Sequence, residues 1–136
     1  MHFLLPHLFL EVASSPVFQQ KPRNVTEKLY ETVYFPCQAI GFPTPTIKWV
    51  KYSSGNQETA IETSGRFVIN QDGYLYILGV EWSDSGRYAC IAENTHGRII
   101  AYAHLNVVTG KIWLNLWLIN ENYSFDSYIY VLLVLK

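Results

Sequence analysis

From Pro16 to Val108 the chain is written in short runs where apolar and polar side chains alternate, separated by turn-forming residues. "TVYFPCQA" puts Val33, Phe35, Cys37 and Ala39 on one face. "TIKWVK" puts Ile47 and Trp49 on one face with Lys48 and Val50 on the other. A period of two marks a half-buried strand, because successive side chains of extended backbone point to opposite sides. "GRFVIN", "GYLYILGV", "GRYACIAEN" and "RIIAYAHLNVV" follow, with Gly65, Gly73, Gly86 and Gly97 between or beside them. No amphipathic helix pattern interrupts the series. The spacing therefore predicts an all-β antiparallel sandwich of two sheets.

The connections agree with this reading. Pro43 and Pro45 in "GFPTPTIKW" cannot donate backbone hydrogen bonds, which predicts a stiff loop leading into the strand that carries Trp49. "ENTHGR" holds Asn94 and Gly97, both tolerant of positive φ, and predicts the hairpin turn between the last two strands.

The ends break the pattern. Residues 1–15 carry an apolar run from Phe3 to Leu10 followed by Ala13, Ser14 and Ser15, the outline of a secretory signal. There is no Lys or Arg near the start, and Pro6 and His7 break the run, so a remnant upstream of the domain is the alternative. Residues 109–136 hold two short apolar runs split by "NENYSFDS", whereas a bilayer span needs about 20 consecutive apolar residues. No transmembrane segment is expected, nor a glycolipid-anchor signal. Gly110-Lys111 can be encoded GGT-AAR, which contains an intron donor, and the expectation is a non-domain tail produced by intron read-through. The alternative is a genuine amphipathic tail. A transcript reading continuously through to Lys136 would favour the latter.

A length of 136 residues suits one domain. Ten Lys plus Arg against eleven Asp plus Glu leave a formal charge of −1, so no basic field favours nucleic acid as a partner. Apolar residues make up 49% of the chain, enough for a core and too many for disorder. The only cysteines, Cys37 and Cys90, are 53 positions apart, and His2, His7, His96 and His104 fall at no ligand spacing to them, so no metal site and no cofactor is expected. Either a buried disulfide or two free thiols remains. A bridge closing that loop would stabilise the fold by roughly 4 kcal/mol, in an oxidising compartment.

Cys37, Trp49 and Cys90, with Tyr88 two residues before the second cysteine, resemble the landmarks of the immunoglobulin fold. The resemblance implies that the two cysteines form a disulfide between the sheets, that Trp49 packs on it, and that the Tyr88 hydroxyl turns back to the backbone at a corner. It implies that Gly86 permits a tight approach, and that Asp84 pairs with Arg66 to close the bottom of the sandwich. "GFPTPTIKW", "GYLYILGVEWSDSGRYACIAEN" and "AHLNV" are similar to the intermediate set (I-set), which lacks the extra edge strand of antibody variable domains; the resemblance covers residues 16–108. "KPRNVT", "ETVYFPC", "SDSGRYAC" and "GRIIAYAHLNV" look somewhat like domains of roundabout-type axon guidance receptors.

Trp82 departs from the family pattern, which usually places a polar residue there. It is either a contact anchor or a cover lying over the corner. Tyr74 and Tyr76 share the outer face of their strand as a possible contact patch. Asn24 in "NVT" and Asn122 in "NYS" are glycosylation sequons. Ser85 beside Asp84 has no histidine partner in view, and no nucleophile elbow, P-loop or zinc signature is present, so no enzyme activity is expected. The expected function is an extracellular or cell-surface recognition module, a fragment of a multi-domain adhesion or guidance receptor that binds protein partners on cells or in the matrix. Alternatives are a load-bearing domain of an intracellular titin-like muscle protein, or a module of a receptor kinase or matrix peroxidase.

Overall fold

In the computed structural model, which describes residues 12–110, the alternating runs become ten strands. They are β1 (Ser14–Gln20), β2 (Val25–Lys28), β3 (Val33–Phe35), β4 (Gln38–Phe42), β5 (Thr46–Tyr52), β6 (Glu58–Ile61), β7 (Phe67–Ile69), β8 (Leu75–Ile77), β9 (Gly86–Asn94) and β10 (Gly97–Val108). Most of the stretch considered as a secretory signal, and the tail from residue 111 with its sequon at Asn122, lie outside the described residues.

One layer is a five-stranded sheet in the order β2-β10-β9-β5-β6. The other contains the sheet β3-β8-β7 and the pair β1-β4. β3 and β4 are two parts of one run, parted at Pro36 and Cys37, because Pro36 has no N–H to give to a ladder. The chain changes layers between β1 and β2, where Pro22 interrupts the pairing in the same way. One pairing departs from antiparallel order: β2 runs parallel to β10, with Leu105 opposite Val25.

Two elements escape the hydrophobic pattern. β6 carries almost no buried side chain and is held by its backbone pairing with β5, from Trp49↔Ile61 to Tyr52↔Glu58. Beyond it β7 belongs to the opposite sheet, so among the described residues the five-stranded sheet ends at β6. The second is a single 3₁₀ turn, Trp82–Asp84, between β8 and β9.

The core lies between the layers. Val33, Phe35, Leu75, Ile77 and Val80 from one side meet Trp49, Tyr88, Ala103, Leu105 and Val107 from the other, with Cys37 and Cys90 in the same cluster. Burying each large aliphatic or aromatic side chain contributes roughly 1.5–3 kcal/mol before entropy is counted.

Candidate functional site

The sulfurs of Cys37 and Cys90 are bonded across the sandwich, with their Cα atoms 6.5 Å apart. The β5–β9 register sets Trp49 directly opposite Cys90, and the Trp49 ring lies 6.0 Å from that of Phe35. The indole Nε1–H would be costly to bury without a partner. It donates to the carbonyl of Gly73 at 2.8 Å. Gly73 has φ +90, and a Cβ there would stand 2.7 Å from the carbonyl oxygen of Cys37, so only glycine lets this turn approach the staple.

The corner below is built on Asp84, which is 3% exposed. Its backbone carbonyl accepts the Tyr88 hydroxyl at 2.7 Å. Burial, reinforced by the Asp84 charge, pushes the Tyr88 phenol well above its ordinary pKa, so it stays a donor. The Asp84 carboxylate accepts Arg66 Nη1 at 2.8 Å and Nη2 at 3.3 Å, a two-pronged pair, and the Glu81 N–H at 2.7 Å, which caps the 3₁₀ turn. Burial alone would raise its pKa. The Arg66 and Glu81 hydrogen bonds, with the Arg66 charge, outweigh burial and hold the carboxyl below its usual range. Arg66 also reaches the Gly79 carbonyl at 3.1 Å and the Glu81 carboxylate at 3.3 Å. Lys51 leaves the core over the Tyr88 ring, at 5.5 Å from its centroid, and donates to the Ser83 carbonyl. Burial lowers its pKa despite the attraction of Asp84.

One glycine expectation is corrected. Gly86 does not permit a tight approach, since the nearest atom to an added Cβ is Lys51 Cε at 3.5 Å; its φ of +144 is what favours glycine. The hairpin turn between the last two strands falls where the sequence predicts it, between Asn94 and Gly97, although neither residue adopts positive φ. Asn94 acts through its side chain instead: Nδ2 donates to the carbonyls of Ser14 (2.8 Å) and Pro43 (2.9 Å), and Oδ1 accepts the His96 N–H (2.9 Å).

These polar groups are all engaged in fastening the sandwich. Ser85 is likewise occupied, its hydroxyl oxygen accepting the Val107 N–H at 3.0 Å. Among the described residues no three His, Cys, Asp or Glu converge as metal ligands, and no helix is long and apolar enough to cross a membrane.

The candidate contact residues fall in separate places. Trp82 stands on the 3₁₀ turn, 53% exposed. Tyr74 and Tyr76 lie half-buried on the outer face of the β3-β8-β7 sheet, where Tyr34 of β3 stacks on both, with centroids 6.5 and 5.9 Å away. Tyr74 donates its hydroxyl to Gln20.

A further surface was not singled out from the sequence. On the outer face of the five-stranded sheet, Val50, Ala89 and Ile91 form a second buried cluster packed by Tyr52, continued on β10 by exposed Ile100 and Tyr102. Beside it the Arg87 guanidinium lies 4.3 Å from the Tyr52 ring centroid and 5.4 Å from that of Tyr102. Tyr52 donates to Glu58 at 2.6 Å, and that bond pushes its pKa up to about 12. The available signal was β9 itself, apolar at Tyr88, Ala89, Cys90, Ile91 and Ala92 and therefore buried on both faces.

Two sheets stapled by a disulfide behind a tryptophan, with a tyrosine closing the corner, define an immunoglobulin-like sandwich. The model of the immunoglobulin I-set domain family matches residues 16–107, and the chain belongs to that family. Human (Homo sapiens) Neogenin is 42% identical over 98 residues, which cover 71% of this chain and 6% of that protein. Mouse (Mus musculus) Peroxidasin homolog is 37% identical over 105 residues, 77% of this chain and 6% of that protein. Human Roundabout homolog 1 is 40% identical over 101 residues, with 72% and 6% covered. The chain thus spans about 6% of the length of these relatives. Among solved structures, a titin domain superposes with a TM-score of 0.65 at 27% identity, covering 73% of this chain and 99% of that one. The tandem Ig repeats of Dlar give 0.64 at 33% identity, covering 73% and 51%. The chain is therefore homologous to immunoglobulin domains of receptors such as the roundabout and neogenin proteins, and similar in fold to those of titin.

Proposed function

We propose that this chain is a non-catalytic extracellular recognition module of a larger adhesion or guidance receptor, and that it meets protein partners on the outer face of the five-stranded sheet. The observation that carries the proposal is the apolar stripe of that face. Ile100 is 39% and Tyr102 53% exposed, next to Val50 and Ile91, and the stripe is bordered by the stacked Arg87. Apolar and aromatic anchors beside an arginine are the composition of binding hot spots. A rigid sheet presents them at little entropic cost, and tandem domains multiply weak contacts. The kinship with receptor domains and the disulfide support an extracellular setting.

The competing role, a load-bearing link in an intracellular muscle protein, draws on the similarity to a titin domain. The multi-domain protein screened against cell-surface ectodomains and matrix ligands is expected to yield a partner whose binding falls at least about tenfold in Ile100→Glu and Tyr102→Ala, with melting temperature unchanged. Full binding by both variants would remove this face from the proposal, and the absence of any partner would remove the recognition role.

A further inference from the structure

We propose that Asn24 is an N-linked glycan attachment site at the β2 edge of the five-stranded sheet, an inference that rests on the extracellular reading above. The residues Asn24-Val25-Thr26 form a sequon, and Asn24 is exposed in the bend between β1 and β2. The geometry splits its amide into two roles. Oδ1 accepts the backbone N–H of His104 at 2.8 Å. That donor requires an oxygen opposite it, which leaves Nδ2 on the other side of the amide. Among the described residues, nothing accepts a hydrogen bond from Nδ2. The atom that a glycosyl transfer would modify is therefore the one the fold does not use.

The chemistry is compatible with this division. With a lipid diphosphate-linked oligosaccharide as donor, a bond forms between Nδ2 and the anomeric carbon, and the bond from that carbon to the diphosphate oxygen breaks. The lipid diphosphate departs with the electron pair, and Nδ2 loses one proton. No redox change occurs. Only a hydrogen of Nδ2 is consumed, so the Oδ1 bond to His104 survives in the product.

The position gives the modification a consequence for recognition. Leu105 pairs with Val25, so Asn24 stands beside His104, on the same outward-facing series of β10 as Tyr102 and Ile100. Among the described residues β2 is the outer strand of its sheet, an open edge. A glycan there covers that edge and overhangs the Tyr102 side of the apolar stripe. A partner of this face would then approach from the β5–β6 side. The opposite sheet, with Tyr34, Tyr74 and Tyr76, stays clear.

The test is translation of the full chain, with a heterologous secretory leader and an Asn122→Gln background, in the presence of endoplasmic-reticulum microsomes. Because the leader forces entry and modification precedes completed folding, the result does not depend on the chain's natural compartment or on the stability of a variant. The expected product shows the shift of one glycan, reversed by an amidase that cleaves the glycan from Asn. The shift is absent in Thr26→Ala, which keeps the Asn24 oxygen for His104, and retained in Thr26→Ser. An unshifted parent chain, or a shift that persists in Thr26→Ala, would overturn the assignment. The extracellular reading fails separately, by the thiol measurement described below.

Discussion

At Asp84 one residue serves three structures at once: its carbonyl holds Tyr88, and its carboxylate holds Arg66 and the N–H of Glu81. We expect Arg66→Ala to cost about 1–3 kcal/mol, because it leaves the nearly buried Asp84 charge poorly compensated, and Asp84→Ala to destabilise by unfastening Arg66 and the Glu81 N–H, although the Arg66 charge keeps Glu81 as a partner. The double mutant should recover part of the loss. Zero coupling in urea unfolding would show that the pair contributes nothing jointly. The pH dependence follows from the lowered pKa of Asp84. Its contribution is complete above the unfolded carboxyl value of about 3.9 and is lost as pH falls through the lower folded value. In Arg66→Ala the Arg66 hydrogen bonds and charge are gone while burial and the Glu81 hydrogen bond remain, so the folded pKa rises and the stability lost between neutral and acid pH should be smaller than in the parent, as urea unfolding across that range would read.

At the scale of elements, Asn94 is the tie between the start of β1, the loop after β4 and the β9–β10 hairpin. Asn94→Ala removes three hydrogen bonds at an exposed end of the sandwich. The expected loss is about 1–2 kcal/mol, less than three buried bonds would give, since water replaces the partners. Amide exchange should accelerate at His96 and Phe42, the second of which is held to Ser14, while Trp49 and Cys90 in the centre keep their protection. Uniform acceleration across β5 and β9 would show instead that the tie supports the whole fold. The strands from β3 to β5 and from β7 to β10 were legible in the alternation of a half-buried face, whereas β1 and β2 were not singled out. Neither was β6, because an exposed edge strand is held by backbone pairing, which leaves no hydrophobic signature. The hairpin turn at Asn94 was legible but its side-chain tie was not, for a related reason: its reach to two distant carbonyls exists only once β1 and the Pro43 loop have been brought alongside.

For the whole molecule the disulfide decides both stability and setting. Joining residues 53 positions apart restricts the unfolded chain by roughly 4 kcal/mol in the loop-entropy description, so reduction should lower the melting temperature while leaving the topology intact. Replacing both cysteines by alanine should cost somewhat more, because a small cavity is added. Protein from its natural source should present no alkylatable thiol under denaturing conditions. Two free thiols would transfer the assignment to the intracellular load-bearing role.

The sequence by itself determined the sandwich, because alternation, glycine spacing and the Cys37, Trp49, Tyr88, Cys90 series are local or ordered features that depend on no partner's exact position. It also carried the Arg66 and Asp84 pairing, through resemblance to a family. What only the tertiary structure decided are the relations between residues far apart along the chain. The meeting of Ile91, Ile100, Val50 and Tyr102 on one outer face depends on the registers of β9 with β5 and with β10. The placement of Asn24 against His104 depends on a parallel pairing that no alternation encodes, since a period of two sets which face a side chain takes and not which strand lies beside it.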